Sequence, residues 1–276
     1  MDIKKMMTAF AVAGIATAGF AAIESANVVG YLGNDMKASG FDMAAGSFAS
    51  VSANNGACTL ADFTVSGYDA PVWDDDEDDY VGGCPGSFVI QFLSSSGTTE
   101  STYYWVDNGE VGPGWFTSKG GAAISGGAAS VNIPAGQAMW IQGRGMKLVS
   151  AGAVNEADIA FLTRASGFNA VGNSTPVNLN LGRLTVTGYS APVWDDDEDD
   201  YVGGCPGSFV VQFLTSSGTT ESTYYWVDNG EVGPGWFSSK GGAAIDGGAT
   251  TVALPAGKGM WIQGRGMSLN IPAPEL

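Results

Sequence analysis

Two runs of consecutive carboxylates are the residues of this sequence best suited to chemistry. One lies between Trp73 and Tyr80, and the other between Trp194 and Tyr201. Repulsion among neighbouring carboxylates favours neutralisation by a cation, and Ca²⁺ takes about six to eight oxygen ligands in irregular loops. We therefore predict calcium sites at both runs. Their ligands would come from Asp74, Asp75, Asp76, Glu77, Asp78 and Asp79 in the first run, and from Asp195, Asp196, Asp197, Glu198, Asp199 and Asp200 in the second.

Two other interpretations of the acidic runs stay open. Each run could be a solvated loop that binds no ion, because neither has the glycine and glutamate spacing of an EF-hand loop. Paired catalytic carboxylates fit less well. Glycosidase acids come from separated positions that flank a cleft, whereas six adjacent acids do not separate an acid from a base.

Histidine is absent from all 276 residues. The chain therefore lacks the commonest general base and a frequent metal ligand. Zinc hydrolases, Ser-His-Asp enzymes and Cys-His proteases cannot be built here in their usual forms. We expect a protein that is not an enzyme.

The eight tryptophans could form either a ligand platform or a core. Exposed indole rings would stack on sugar rings, whereas buried ones would fill the interior of a β-protein. Trp140 lies between Met139 and Ile141 and is predicted to be core. The candidates for exposure and ligand stacking lie beside polar or Gly-Pro segments, and they are Trp73, Trp115, Trp194 and Trp236.

The three cysteines predict a disulfide if the chain enters an oxidising compartment. Cys84 and Cys205 occupy equivalent positions, whereas Cys58 is predicted to lie in a segment that only the first copy of a repeat contains. Cys58 would pair with Cys84 in the same chain or with Cys205 of a neighbouring chain. The sequence does not decide between these pairings.

The net charge of −17 excludes several partners. The two acidic runs hold six acids each and account for −12 of it. Nucleic acids and anionic membranes would be repelled, because binding them requires clustered Lys and Arg. Cations and basic surfaces remain as partners.

The N-terminus predicts export. Lys4 and Lys5 precede an apolar stretch from Met6 to about Ala18 that is too short to cross a bilayer. We expect a signal peptide over residues 1–26, cleaved somewhere in 18–26, and an extracellular or cell-surface protein. No apolar stretch near Leu276 is expected to act as a membrane anchor.

An internal duplication dominates the rest of the chain. Gly67–Leu148 aligns with Gly188–Leu269 at an offset of 121, with 12 differences over 82 positions. Farther upstream, Ala38-Ser-Gly-Phe41 matches Ala165-Ser-Gly-Phe168 at an offset of 127, so the first copy has six extra residues. The extra residues are placed around 54–59. We predict two domains, 27–150 and 151–276, joined by a short linker at 150–154.

Strand periodicity recurs within each copy. Residues 60–66 and 87–93 are interpreted as strands, and Asn108-Gly109 between two such runs predicts a type I′ hairpin. No segment after the signal peptide has a convincing helical stripe. The predicted fold is all-β, with two tandem β-sandwich-like domains related by the duplication.

These features predict a secreted structural protein that assembles with itself into a filament or surface layer and binds calcium at its acidic loops. The alternative is a secreted carbohydrate-binding or adhesive module that holds polysaccharide on exposed tryptophans. Both interpretations require export, and they differ in whether the partner is a second copy of the chain or a glycan.

Overall fold

The computed structural model describes residues 29–49 and 57–275, and within them the protein is all-β. Strands make up 47% and helices 5%, which confirms the predicted fold class. The described helices are short 3-10 turns at Leu60–Asp62, Ala128–Ser130, Leu181–Arg183 and Ala249–Thr251. None of the described helices is long and apolar enough to cross a membrane. The predicted signal peptide, 1–26, lies outside the described residues.

The first copy contains twelve strands in the described residues. They are β1 (Val29–Asp35), β2 (Asp42–Ala45), β3 (Cys58–Thr59), β4 (Phe63–Ser66), β5 (Val72–Asp74), β6 (Asp79–Val81), β7 (Cys84–Leu93), β8 (Thr99–Asp107), β9 (Gly114–Phe116), β10 (Asn132–Ile133), β11 (Ala138–Gln142) and β12 (Lys147–Ala153).

The second copy repeats this order. Its strands are β13 (Ile159–Leu162), β14 (Asn169–Gly172), β15 (Leu179–Asn180), β16 (Thr185–Thr187), β17 (Val193–Asp195), β18 (Asp200–Val202), β19 (Cys205–Leu214), β20 (Thr220–Asp228), β21 (Gly235–Phe237), β22 (Ala253–Leu254), β23 (Gly259–Gln263) and β24 (Ser268–Ile271).

Four larger antiparallel sheets organise these strands. In the first copy they have the orders β1-β12-β4 and β2-β11-β7-β8-β9, and in the second β13-β24-β16 and β14-β23-β19-β20-β21. The remaining pairs of the described strands are β3 with β10, β5 with β6, β15 with β22, and β17 with β18. The sheets are arranged in a ring that resembles a four-bladed propeller, and the predicted pair of tandem sandwiches is not shown.

Alternating apolar residues explain how each copy builds its core. In β4, Phe63 and Val65 are buried while Thr64 and Ser66 are exposed. They join Phe88 of β7 in one hydrophobic cluster, so the three-stranded and five-stranded sheets of a copy share a core. The second copy has the equivalent cluster.

Strand β12 occupies most of the predicted linker. It continues to Ala153 and pairs along its length with β1, from Val29 with Ala153 to Asp35 with Lys147. The chain therefore passes between the copies through a hydrogen-bonded strand over most of residues 150–154.

The structure moves the extra residues of the first copy upstream of Cys58. β2 and β14 are related by the offset of 127, whereas β3 and β15 are related by 121. Cys58 pairs with Ile133 as its equivalent Leu179 pairs with Leu254. Cys58 is thus a position shared by both copies, and the insertion lies between β2 and β3, largely in the undescribed residues 50–56.

The Asn108-Gly109 hairpin differs from its prediction. β8 and β9 pair as expected, but a loop of residues 108–113 joins them, and only Gly109 of the two central residues has a positive φ, 86°. A type I′ turn requires a positive φ at both. Instead, the Asn108 side chain accepts a hydrogen bond from the Val111 backbone N–H at 2.8 Å.

The contacts between the two copies include a reciprocal pair of turns. The Phe41 N–H donates to the Ser216 carbonyl at 2.8 Å, and the Phe168 N–H donates to the Ser95 carbonyl at 2.8 Å. Gly40 has φ 78°, and a Cβ on it would overlap the Ser216 carbonyl oxygen. The shared Ala-Ser-Gly-Phe motif therefore joins each copy to the other, and its glycine permits the close approach.

We expect Gly40→Ala to lower the free energy of unfolding more than Gly127→Ala does. Gly127 has φ 74° and ψ 175° with open space around its Cβ position, so its substitution carries only a backbone cost, about 1–3 kcal/mol. Gly40→Ala adds a clash with the other copy. Urea unfolding followed by circular dichroism measures both variants, and equal losses would show that the contact with Ser216 contributes little.

Candidate functional site

Each acidic run forms the end of a two-stranded hairpin. Asp74 of β5 pairs with Asp79 of β6, and residues 75–78 make the turn between them. Asp78 adopts the left-handed conformation with φ 52°, which short polar side chains tolerate. Residues 75–79 are exposed and Asp74 is half-buried. The hairpin of β17 and β18 repeats this geometry in the second copy.

Several carboxylates stabilise the turn that carries them. Asp74 Oδ1 accepts the Asp76 N–H at 2.9 Å, and Asp79 Oδ1 accepts the Tyr80 N–H at 2.7 Å. Asp75 Oδ1 accepts the Trp73 indole N–H at 3.0 Å. These oxygens are therefore engaged with the hairpin itself.

The described residues contain no group of three or more His, Cys, Asp or Glu side chains placed to hold a metal ion. The twelve predicted calcium ligands thus lie together in their hairpins without forming a chelating cluster. Diffuse attraction of cations by six adjacent charges needs no such cluster. Calcium binding stays a prediction.

Glycines position each hairpin on the rest of its copy. The Gly83 N–H donates to the Asp69 carbonyl at 2.8 Å at the base of the hairpin. Gly83 has φ 74°, and a Cβ there would overlap the Asp107 carbonyl oxygen. The Tyr80 ring lies against Gly109 so closely that a Cβ on Gly109 would overlap it. The Val-Gly-Gly segment after the acidic run and the Asn-Gly turn therefore dock the hairpin.

Two of the predicted stacking residues lie on these hairpins and are exposed. Trp73 is 46% exposed and Trp194 is 47% exposed. Each indole meets the tyrosine opposite it, Tyr80 or Tyr201, edge to face with ring centroids 5.2 Å apart. This contact holds the indole in place while leaving much of it in solvent. Ligand stacking on Trp73 and Trp194 stays a prediction.

The other two predicted stacking residues, Trp115 and Trp236, are core residues, so their predicted exposure is wrong. Each is only 6% exposed. The Trp115 indole N–H donates to the Phe63 carbonyl at 2.8 Å, and the Trp236 N–H donates to the Leu184 carbonyl at 2.8 Å. Strand β9 turns Trp115 inward, and its neighbouring Gly-Pro segment does not determine its direction.

The predicted disulfide is also wrong, because Cys58, Cys84 and Cys205 are free and buried. The Cys84 thiol donates to the Trp105 carbonyl at 3.5 Å, and Cys205 repeats this contact with Trp226. Burial raises the pKa of Cys58 to about 12, and the charge of Asp62 adds to this shift. The thiol is therefore protonated at neutral pH and packs as a small apolar side chain.

A groove between the copies brings together residues that sequence reasoning assigned to the core. Trp140 and its equivalent Trp261 are half-buried and line this groove. Each lies on a five-stranded sheet, with one indole face stacked on Phe41 or Phe168. The sequence feature that could have indicated this groove is the shared Ala-Ser-Gly-Phe motif, because it supplies both phenylalanines that stack on the indoles.

No protein-family model, curated protein or solved structure matches the chain.

We expect the three cysteines to resist alkylation in the folded protein. Burial excludes the reagent, and a pKa near 12 leaves almost no Cys58 thiolate at pH 8. Iodoacetamide labelling followed by mass spectrometry should modify the cysteines only after urea is added. Rapid labelling of Cys58 without urea, or ladders on non-reducing gels, would contradict this result.

Proposed function

We propose that this protein is a non-enzymatic extracellular structural protein that associates with itself through its two acidic hairpins to form a filament or surface layer. One observation carries the proposal. Six of the eight exposed large hydrophobic side chains in the described residues lie on the hairpins. They are Val72, Trp73 and Val81 in the first copy, and Val193, Trp194 and Val202 in the second.

The hairpin register gathers the apolar side chains. Val72 is directly opposite Val81, and Trp73 is opposite Tyr80. Opposed residues of an antiparallel pair share a face, so the valines lie together on one side and the aromatic rings on the other. Apolar surface concentrated on a projecting element is typical of a contact site.

The acidic tips oppose this association. Each tip carries six carboxylates next to its apolar residues. Two tips brought together would repel each other unless cations lower their charge. We propose calcium as this cation, because a divalent ion neutralises adjacent carboxylates with fewer bound ions than sodium. Association would then switch on with calcium outside the cell, where the predicted signal peptide sends the protein.

The duplication determines what kind of assembly follows. Each chain presents two equivalent hairpins, so it can contact one neighbour through each of them. Contacts of this kind that do not close on themselves produce open chains or layers. The alternative function, binding polysaccharide on the exposed tryptophans, would use Trp73 and Trp194 only, because Trp115 and Trp236 are buried.

We expect calcium-dependent association that requires Trp73 and Trp194. Sedimentation velocity of the protein would show larger species in calcium than in chelator. Sodium chloride of the same ionic strength would give fewer of these larger species than calcium does. The double variant Trp73→Ser and Trp194→Ser should remain monomeric in calcium, because it loses the largest apolar side chain of each hairpin.

Tyr31→Ser is the matched control. Tyr31 is an aromatic residue of β1, 72% exposed, and it is not part of either hairpin. Its substitution should leave association unchanged. A monomer under all three conditions would overturn the proposed function, and association of the double variant at the normal level would overturn the role of the hairpins.

A further inference from the structure

The groove between the two copies has the features of a ligand site. Its volume is about 330 Å³, and it is built from equivalent residues of both copies. The residues that matter for recognition are Trp140 and Trp261, Gln91 and Gln212, and Thr99 and Thr220. Its two halves therefore offer the same chemistry twice, related by the duplication.

The two indole rings are held in fixed positions. Trp140 stacks on Phe41 with ring centroids 5.1 Å apart, and Trp261 stacks on Phe168 at 5.2 Å. A Cβ on Gly218 would lie 3.3 Å from the Trp140 ring, so the outer edge of this ring meets the other copy at a glycine. Flat aromatic surfaces that are already positioned lose little entropy when a ligand binds.

The polar groups of the groove are left available to a ligand. Gln91 pairs in register with Trp140, and Gln212 with Trp261, so each amide lies beside an indole. Neither glutamine side chain has a hydrogen bond to another described residue. The indole N–H groups of Trp140 and Trp261 also have no hydrogen-bond acceptor among the described residues. By contrast, Trp105 and Trp115 donate to protein acceptors.

We propose that this groove binds a neutral oligosaccharide. Sugar rings have apolar faces that pack on indole rings, and their hydroxyl groups pair with amide and hydroxyl side chains. No charged residue lines the groove, so it offers no counter-ion to a phosphate, a nucleotide or an ionised peptide terminus. Each of the two equivalent halves supplies one indole and one amide to contact a sugar unit. This site is separate from the hairpins, and its occupancy does not depend on self-association.

The test is titration calorimetry of the full chain with neutral hexasaccharides of glucose, mannose, xylose and N-acetylglucosamine, in chelator so that the protein stays dispersed. Binding of at least one of them is expected. Trp140→Ala or Trp261→Ala should each weaken it about tenfold, and by similar factors because the halves are equivalent. No binding of any hexasaccharide at millimolar concentration would overturn the proposal.

Two further variants separate loss of recognition from loss of folding. Gln91→Leu preserves size but removes the amide, so it should weaken binding while the melting temperature stays close to that of the unaltered protein. Trp73→Ala with Trp194→Ala removes the exposed indoles outside the groove and should leave binding unchanged. If this second pair abolishes binding while Trp140→Ala does not, the sugar binds on the hairpins and the groove is not the site.

Discussion

The reciprocal contact between the two copies is the interaction on which the other features depend. Phe41 and Phe168 each follow a glycine that lets the chain approach a serine carbonyl of the opposite copy. The same two phenylalanines support Trp140 and Trp261 from behind. One short motif, used twice, therefore joins the copies and orients the indoles of the groove.

The surface through which the two copies contact each other is used within the chain, and this limits how separate chains associate. A contact in which each partner offers the same patch to the other closes on itself after two units. Here both units belong to one chain, so this surface is consumed by the fold and is not available to neighbours. The hairpins of β5–β6 and β17–β18 project with their apolar residues uncovered. The hairpins and the groove therefore remain exposed after this surface has been used within the chain.

The sequence predicted the duplication, the strands and the exposed Trp73, because these depend on local pattern and on self-similarity. It did not predict the direction of Trp115, since a three-residue strand is too short to show an alternation. Nor could it place the insertion, because Cys58 and Leu179 have different side chains and only their strand partners reveal their equivalence. The groove was missed for a third reason. Its two halves are far apart in sequence, and apolar neighbours made Trp140 resemble a core residue.

Cys58 shows how the copies diverged without changing the fold. Its equivalent in the second copy is Leu179, a larger side chain. Around it, the first copy has Gly46, whose added Cβ would lie 2.7 Å from the Cys58 sulfur, where the second copy has Asn173. The Asn173 amide donates to the Leu254 carbonyl at 2.9 Å and supports a polar network that the first copy lacks. The same site is thus filled by Gly46 and Cys58 in the first copy and by Asn173 and Leu179 in the second. The Cys58 thiol fits this site by its size and apolar character, and it is buried, protonated and unpaired there.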